Sequence, residues 1–177
     1  MYKYKTTNHD RKNIPKIKSK YITDYEAQSI RLFSSILLSV SMFSNNSDEI
    51  GLLYDVTNYE NYKWFYGVTN HISLTQYDRK ILFRSIDKNL WNRYIFIHNH
   101  PNNTKFSYND IKTFLYSSTV YICIVVQNNG ILHILRKNKN TTDYDVKFFE
   151  NNFTSVIEYL KYINKDSTVG IKYIVRR

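Results

Sequence analysis

Residues 93–116 read RYIFIHNHPNNTKFSYNDIKTFLY. Arg93–Ile97 is short, β-branched and aromatic, the composition of a buried strand. Pro101 stops that strand, because it lacks an N–H and fixes its own φ. A polar loop follows, and Ser107-Tyr-Asn-Asp110 has the spacing that opens a helix, expected to run to about Ser117. Downstream, VYICIVVQ (120–127) and GILHILRK (130–137) predict two strands joined by a hairpin at Asn128-Asn129-Gly130. Upstream, EIGLLYDV (49–56), KWFYGVT (63–69) and HISL (71–74) predict a small antiparallel meander.

Helices are expected around this centre. Thr23-Asp-Tyr-Glu26 is a capping-box pattern, behind which Ala27, Ile30, Phe33, Leu37 and Val40 recur at helical spacing to about Met42. SNNSD (44–48) ends that helix. TQYDRKILFRSIDKNLW (75–91) sets Ile81, Leu82, Ile86 and Leu90 on one face. Thr142 starts a long amphipathic helix to about Ile163, and VGIKYIVRR (169–177) reads as a last strand. The alternation predicts an α/β (α+β) class, with one mixed sheet flanked by helices.

A chain of 177 residues, 42% hydrophobic and 16% aromatic, suits one domain with an ample core. No run of about eighteen apolar residues predicts a membrane span. The N-terminus lacks the apolar stretch of a signal peptide, so a cytoplasmic location is expected. The single cysteine, Cys123, excludes a disulfide framework and a CxxC zinc ribbon. Within VYICIVV it reads as a buried core thiol. Residues 1–22 form a basic arm, with seven Lys or Arg in the first twenty positions, and the domain occupies 23–177. A net charge of +10 invites a nucleic-acid partner for that arm. Abundant Lys, Asn, Ile, Tyr and Phe with scarce Gly and Pro is also the residue set of AT-rich codons.

The chemistry concentrates in His98-Asn-His100-Pro101. Histidines at i and i+2 of a strand point to one side, so His98 and His100 can meet one metal ion. Asp110, on the first turn of the following helix, can return as a third ligand. Two histidines and a carboxylate leave a fourth tetrahedral position for water, as in catalytic rather than structural zinc. A carboxylate must then take the proton of that water, and Glu49 at the start of EIGLLYDV is placed to do so from a neighbouring strand. Glu26 is accounted for by its capping box and Glu60 by a turn tip. His9, His71 and His133 read as surface or structural histidines, and Trp64 and Trp91 as core residues. There is no HExxH, P-loop or helix-opening GxGxxG. The PCxxC of a zinc deaminase is also missing.

His98-x-His100-Pro101 followed by Ser107-x-x-Asp110 resembles the signature of the JAMM (JAB, MPN-plus) metalloproteases. Asn99 between the histidines is similar to the bacterial RadC-like and phage- or toxin-associated branch. The resemblance spans residues 24–137, and the segment 142–177 lies outside it. It implies Zn2+ held by His98, His100 and Asp110, with Glu49 as base and Ser107 donating to the oxyanion of a peptide or isopeptide bond. The implied substrate is a peptide or protein, a ubiquitin-like tail included. The alternatives are a RadC-like DNA-associated accessory protein and a catalytically silent zinc-binding scaffold.

Overall fold

Period-2 alternation builds the centre of the molecule. A computed structural model describes residues 3–57, 62–68, 71–83, 92–138, 143–165 and 170–177. Six strands, β1 (Ile50–Asp55), β2 (Tyr62–Tyr66), β3 (Tyr94–His100), β4 (Val120–Gln127), β5 (Leu132–Lys137) and β6 (Ile171–Arg176), form one sheet in the order β2-β1-β3-β4-β5-β6. Among the described residues only the β3–β4 pair is parallel. The helix α4 (Tyr108–Tyr116) makes the crossover that a parallel pair requires. The architecture is therefore mixed α/β in a single domain, with helices on both faces of a mixed sheet.

Ile50, Leu52, Ile95, Ile97, Ile122, Ile124 and Ile134 point to one face, where they meet Ile30, Leu37 and Leu38 of α2 (Asp24–Ser44). Leu53, Cys123, Val125 and Leu135 point to the other. There they pack under α4, α5 (Asp143–Asn152) and α6 (Val156–Lys165) through Ile111, Phe114, Phe149, Tyr159 and Leu160. A register shift between Tyr94 and Ile95 opposite Val120 and Ile122 marks a bulge at Tyr121. Tyr121 and Ile122 consequently both pack toward α2. The Tyr121 hydroxyl reaches Glu26, whose other oxygen closes the Thr23 capping box of α2.

Two local expectations are corrected. HISL forms no strand: His71 makes an isolated bridge with Val68, and residues 72–75 are irregular. The long C-terminal helix is two helices. Asn152 turns its side chain back onto the Phe148 carbonyl, and Ser155-x-x-Glu158 supplies a fresh capping pattern for α6. The basic arm packs on the domain. It carries α1 (Asn8–Lys12), and Ile14 and Ile17 bury in the core beside α2. The helix expected over 75–91 is described as α3 (Gln76–Phe83); its remainder, Trp91 and Glu60 lie outside the described residues. The hairpin turn at 128–130 forms as expected, with Gly130 at φ +89 where a side chain would be strained.

Lys137 is buried on β5, donates to the Ser117 carbonyl and sits over the Phe114 ring. Burial lowers its pKa to about 7. The unfolded chain then holds a proton that the folded chain has released between about pH 7 and the ordinary lysine value, so stability rises with pH in that window. Chemical denaturation of wild type and Lys137→Met from pH 6.5 to 10 tests this. Wild type should gain on the variant as pH rises, by up to ~1.4 kcal/mol per pH unit; a constant difference would show that the amine stays charged.

Candidate metal centre

Four of the residues singled out by sequence converge at one end of the sheet. On β3, Phe96, His98 and His100 share the face opposite Ile95, Ile97 and Asn99. The two imidazoles lie with ring centroids 5.0 Å apart, and Phe96 stacks on His98 at 5.2 Å. Glu49 immediately precedes β1, which pairs antiparallel with β3 through Gly51 and His98. Ligand atoms of Glu49, His98 and His100 all lie within 4.8 Å of one another, and all three residues are buried. Asp110 enters from the first turn of α4. Its Oδ1 is 3.4 Å from His98 Nε2 and its Oδ2 is 3.4 Å from His100 Nε2.

The electrostatics of the cluster follow from this packing. Burial pushes the Glu49 carboxyl above its ordinary pKa, against the pull of His98 and His100. Burial works against charge on Asp110 too, but the two imidazoles override it and hold its carboxyl well below the usual range. Burial would lower the His98 pKa; the Asp110 charge prevails and raises it well above the usual value. Yet neither buried ring nitrogen of His98 makes a well-directed hydrogen bond among the described residues: Nε2 meets the Asp110 carboxylate only at ion-pair distance, 3.4 Å. A buried imidazole without a well-directed hydrogen bond is costly unless something else engages it. A divalent metal among two imidazoles and a carboxylate fits that donor set.

The surroundings select the right tautomer of His100. Thr104 spends its hydroxyl proton on Asn102 Oδ1 at 2.7 Å, so it accepts from His100 Nδ1–H at 3.0 Å. That leaves the Nε2 lone pair facing Asp110 and available to a metal. Ser107 is the N-cap of α4: its hydroxyl oxygen accepts from Asp110 N at 3.1 Å, and its own N–H donates to Asp110 Oδ2 at 2.6 Å. The capping box thus aims the Asp110 carboxylate. Because Ser107 Oγ is the acceptor there, its own proton is left for another group at this exposed position.

The sequence reading passed over the residue that joins these segments. Asn99 is completely buried on the α2 face of β3. Its Oδ1 accepts from Ile50 N at 2.8 Å; its Nδ2 donates to Asn128 Oδ1 at 2.7 Å, Asp48 O at 3.2 Å and Ser41 Oγ at 3.3 Å. Glu49 lies between Asp48 and Ile50 and is clamped on both sides. Its carbonyl accepts from Gly67 N at 2.9 Å and Asn45 Nδ2 at 3.2 Å. Only glycine fits at 67, where a Cβ would lie 2.1 Å from the His71 carbonyl oxygen. The arm completes the clamp. Tyr4 N donates to the Pro101 carbonyl at 2.6 Å, Asn128 Nδ2 donates to the Tyr4 carbonyl at 2.7 Å, and Lys3 pairs with Asp48 at 2.7 Å. The available signal was alternation, which puts Asn99 on the apolar face of the strand, where a polar side chain must be partnered.

His133, by contrast, is a satisfied buried histidine, bonded to Gln127 and Tyr173, and Cys123 is a buried free thiol. His71 is exposed. No family model, curated protein or solved structure matches the chain. Among the described residues no helix is long and apolar enough to cross a membrane.

Asn99→Ala strands the Ile50 N–H and the Asn128 amide oxygen in the interior. It should cost about 2–4 kcal/mol and lower the melting temperature by roughly 5–10 °C. An unchanged melting curve would show that the network does not hold the Glu49 segment.

Proposed function

We propose that this chain is a zinc-dependent metallopeptidase of the JAMM type, hydrolysing a peptide or isopeptide bond. The observation that carries the reading is the convergence of Glu49, His98, His100 and Asp110, from three separate elements, with the ligand atoms of Glu49, His98 and His100 within 4.8 Å of one another and Asp110 3.4 Å from both imidazoles. His98, His100 and Asp110 would hold the metal. Zinc in such a site supplies Lewis acidity, lowering the pKa of water to near neutrality.

The chain's own groups do the rest. Glu49 accepts the proton of the attacking water at its carboxylate and returns it to the leaving amine. Burial raises its pKa, which makes the carboxylate a stronger base. Ser107 directs its free hydroxyl proton at the carbonyl oxygen as negative charge develops there. Thr104 holds the His100 ring in the ligating tautomer. The apolar pocket beside His98, walled by Phe96, Phe114, Val120 and Cys123, keeps bulk water from the ligand ring and strengthens each electrostatic contact.

A second reading keeps the fold but makes the chain a DNA-associated accessory protein. It draws on the exposed side chains of Lys5, Lys12, Lys16, Lys18 and Lys20. A steep loss of DNA binding with added salt would favour it.

Elemental analysis is the direct test. Wild type should carry about one zinc per chain and His98→Ala/His100→Ala none; an empty wild type after reconstitution at neutral pH would end the metallopeptidase reading. Glu49→Gln should keep the metal and abolish peptide hydrolysis, whereas loss of zinc in that variant would make Glu49 a ligand instead of the base. Ser107→Ala should lower kcat by roughly 10²–10³, with only about 1 kcal/mol lost from the helix cap. Ser107→Thr, which keeps both the cap and the hydroxyl, should recover most of the rate.

A further inference from the structure

The sheet face that carries the histidines continues past them. His100 on β3 pairs with Gln127 on β4, and Gln127 N donates to the Ile131 carbonyl across the hairpin. Arg176 pairs with Leu132, so Arg177 stands beside Ile131 at the same level of the sheet. Arg177 also alternates with Ile171 and Tyr173, which face the α4–α6 side. Three strand spacings separate it from His100, about 14 Å, or about four residues of extended chain.

A hydrogen-bonded chain runs beneath this row. Gln127 Nε2 donates to His133 Nε2 at 3.0 Å, so His133 Nδ1–H donates to the Tyr173 oxygen at 2.7 Å. Burial, with the positive charges of Lys105 and Arg177, lowers the His133 pKa to about 4, so the ring is neutral near pH 7. Tyr173 therefore keeps its own hydroxyl proton to give away. The loop after Pro101 lies over the same place, since Phe106 packs edge-on against Tyr173 at 6.4 Å. Its neighbour Lys105 is exposed, as is Arg177. Neither cation pairs with a carboxylate among the described residues. Two cations and one O–H donor thus lie along one edge of the sheet where no acidic side chain among the described residues pairs with them.

We propose that Lys105, Tyr173 and Arg177 form a subsite for an acidic side chain of the peptide substrate, about four residues from the bond presented at the metal centre. The inference rests on the metallopeptidase reading and narrows its substrate class to chains carrying Asp or Glu at that distance. Two cations on a short edge match one or two carboxylates rather than a long row of phosphates.

The test uses the zinc-loaded full chain and fluorescein-labelled ten-residue Gly/Ser peptides bearing Glu-Glu, Gln-Gln or Lys-Lys at the centre. Anisotropy titrations at 0.1 M salt should show Glu-Glu binding about five- to twentyfold tighter than Gln-Gln. Lys105→Glu/Arg177→Glu should reverse the order in favour of Lys-Lys at unchanged zinc content. Tyr173→Phe, which keeps the ring, should weaken only the Glu-Glu peptide and serves if the double variant fails to fold. Equal binding of Glu-Glu and Gln-Gln by wild type, or a preference that survives the variants, overturns the subsite. Displacement of the Glu-Glu peptide by a twelve-residue oligothymidylate at lower concentration than by unlabelled peptide assigns the edge to phosphate and overturns it too. Zinc bound without an acidic preference defeats this inference alone, whereas a chain that binds no zinc takes both readings down.

Discussion

The side-chain amide of Asn99 is the constraint on which the site depends. One strand must present His98 and His100 to one face and still hold its position against the segment that carries Glu49. The pleat solves the first requirement, because residues 98 and 100 share a face and residue 99 takes the other. Asn99 solves the second by accepting from Ile50 N and donating to Asp48 O, so that Glu49 is gripped on either side. Buried hydrogen bonds of this kind specify geometry more than they add stability: each is worth little net, but leaving one unmade is expensive.

The same network reaches the N-terminal arm. Asn128 passes the connection from Asn99 to the Tyr4 carbonyl, and Tyr4 in turn ties to Pro101. The arm therefore straps both segments of the candidate centre from the α2 side. Its lysines divide accordingly. Lys3 is neutralised by Asp48, whereas those from Lys5 to Lys20 project into solvent. Charge counted along the sequence gives no hint of that division, which depends on where the chain is pinned.

On the opposite face, α4 does three things with one turn. It supplies the parallel crossover between β3 and β4, it delivers Asp110, and its Ser107 cap orients the carboxylate it delivers. A helix N-terminus also favours negative charge, which agrees with a carboxylate held ionised there. Capping and the aim of the Asp110 carboxylate are thus built from the same pair of residues. That is why Ser-x-x-Asp by itself is a weak signal, and why it gains meaning when a strand ending in two alternating histidines precedes it.

The strands, α2 and its capping box, the 128–130 turn and the start of α4 were legible because each follows from local chemistry: alternation, helical spacing, cap residues, a glycine at positive φ. The pairing of His98 with His100 was legible for the same reason, since strand period alone puts them together. Local rules mislead where packing decides. HISL has strand composition but gains only one bridge, and the C-terminal periodicity runs through a break made by Asn152 and Ser155. The docking of the arm was not legible, because apolar residues such as Ile14 and Ile17 find a core only once α2 is in place. Sequence by itself determined which residues are candidates for a metal centre and which face of their strand the two histidines occupy. Tertiary structure alone decided that Glu49, 49 positions before His98, and Asp110, 10 positions after His100, meet the same two imidazoles. It also decided that Asn99 holds them there, because sheet order and buried hydrogen-bond partners are properties of the assembled chain.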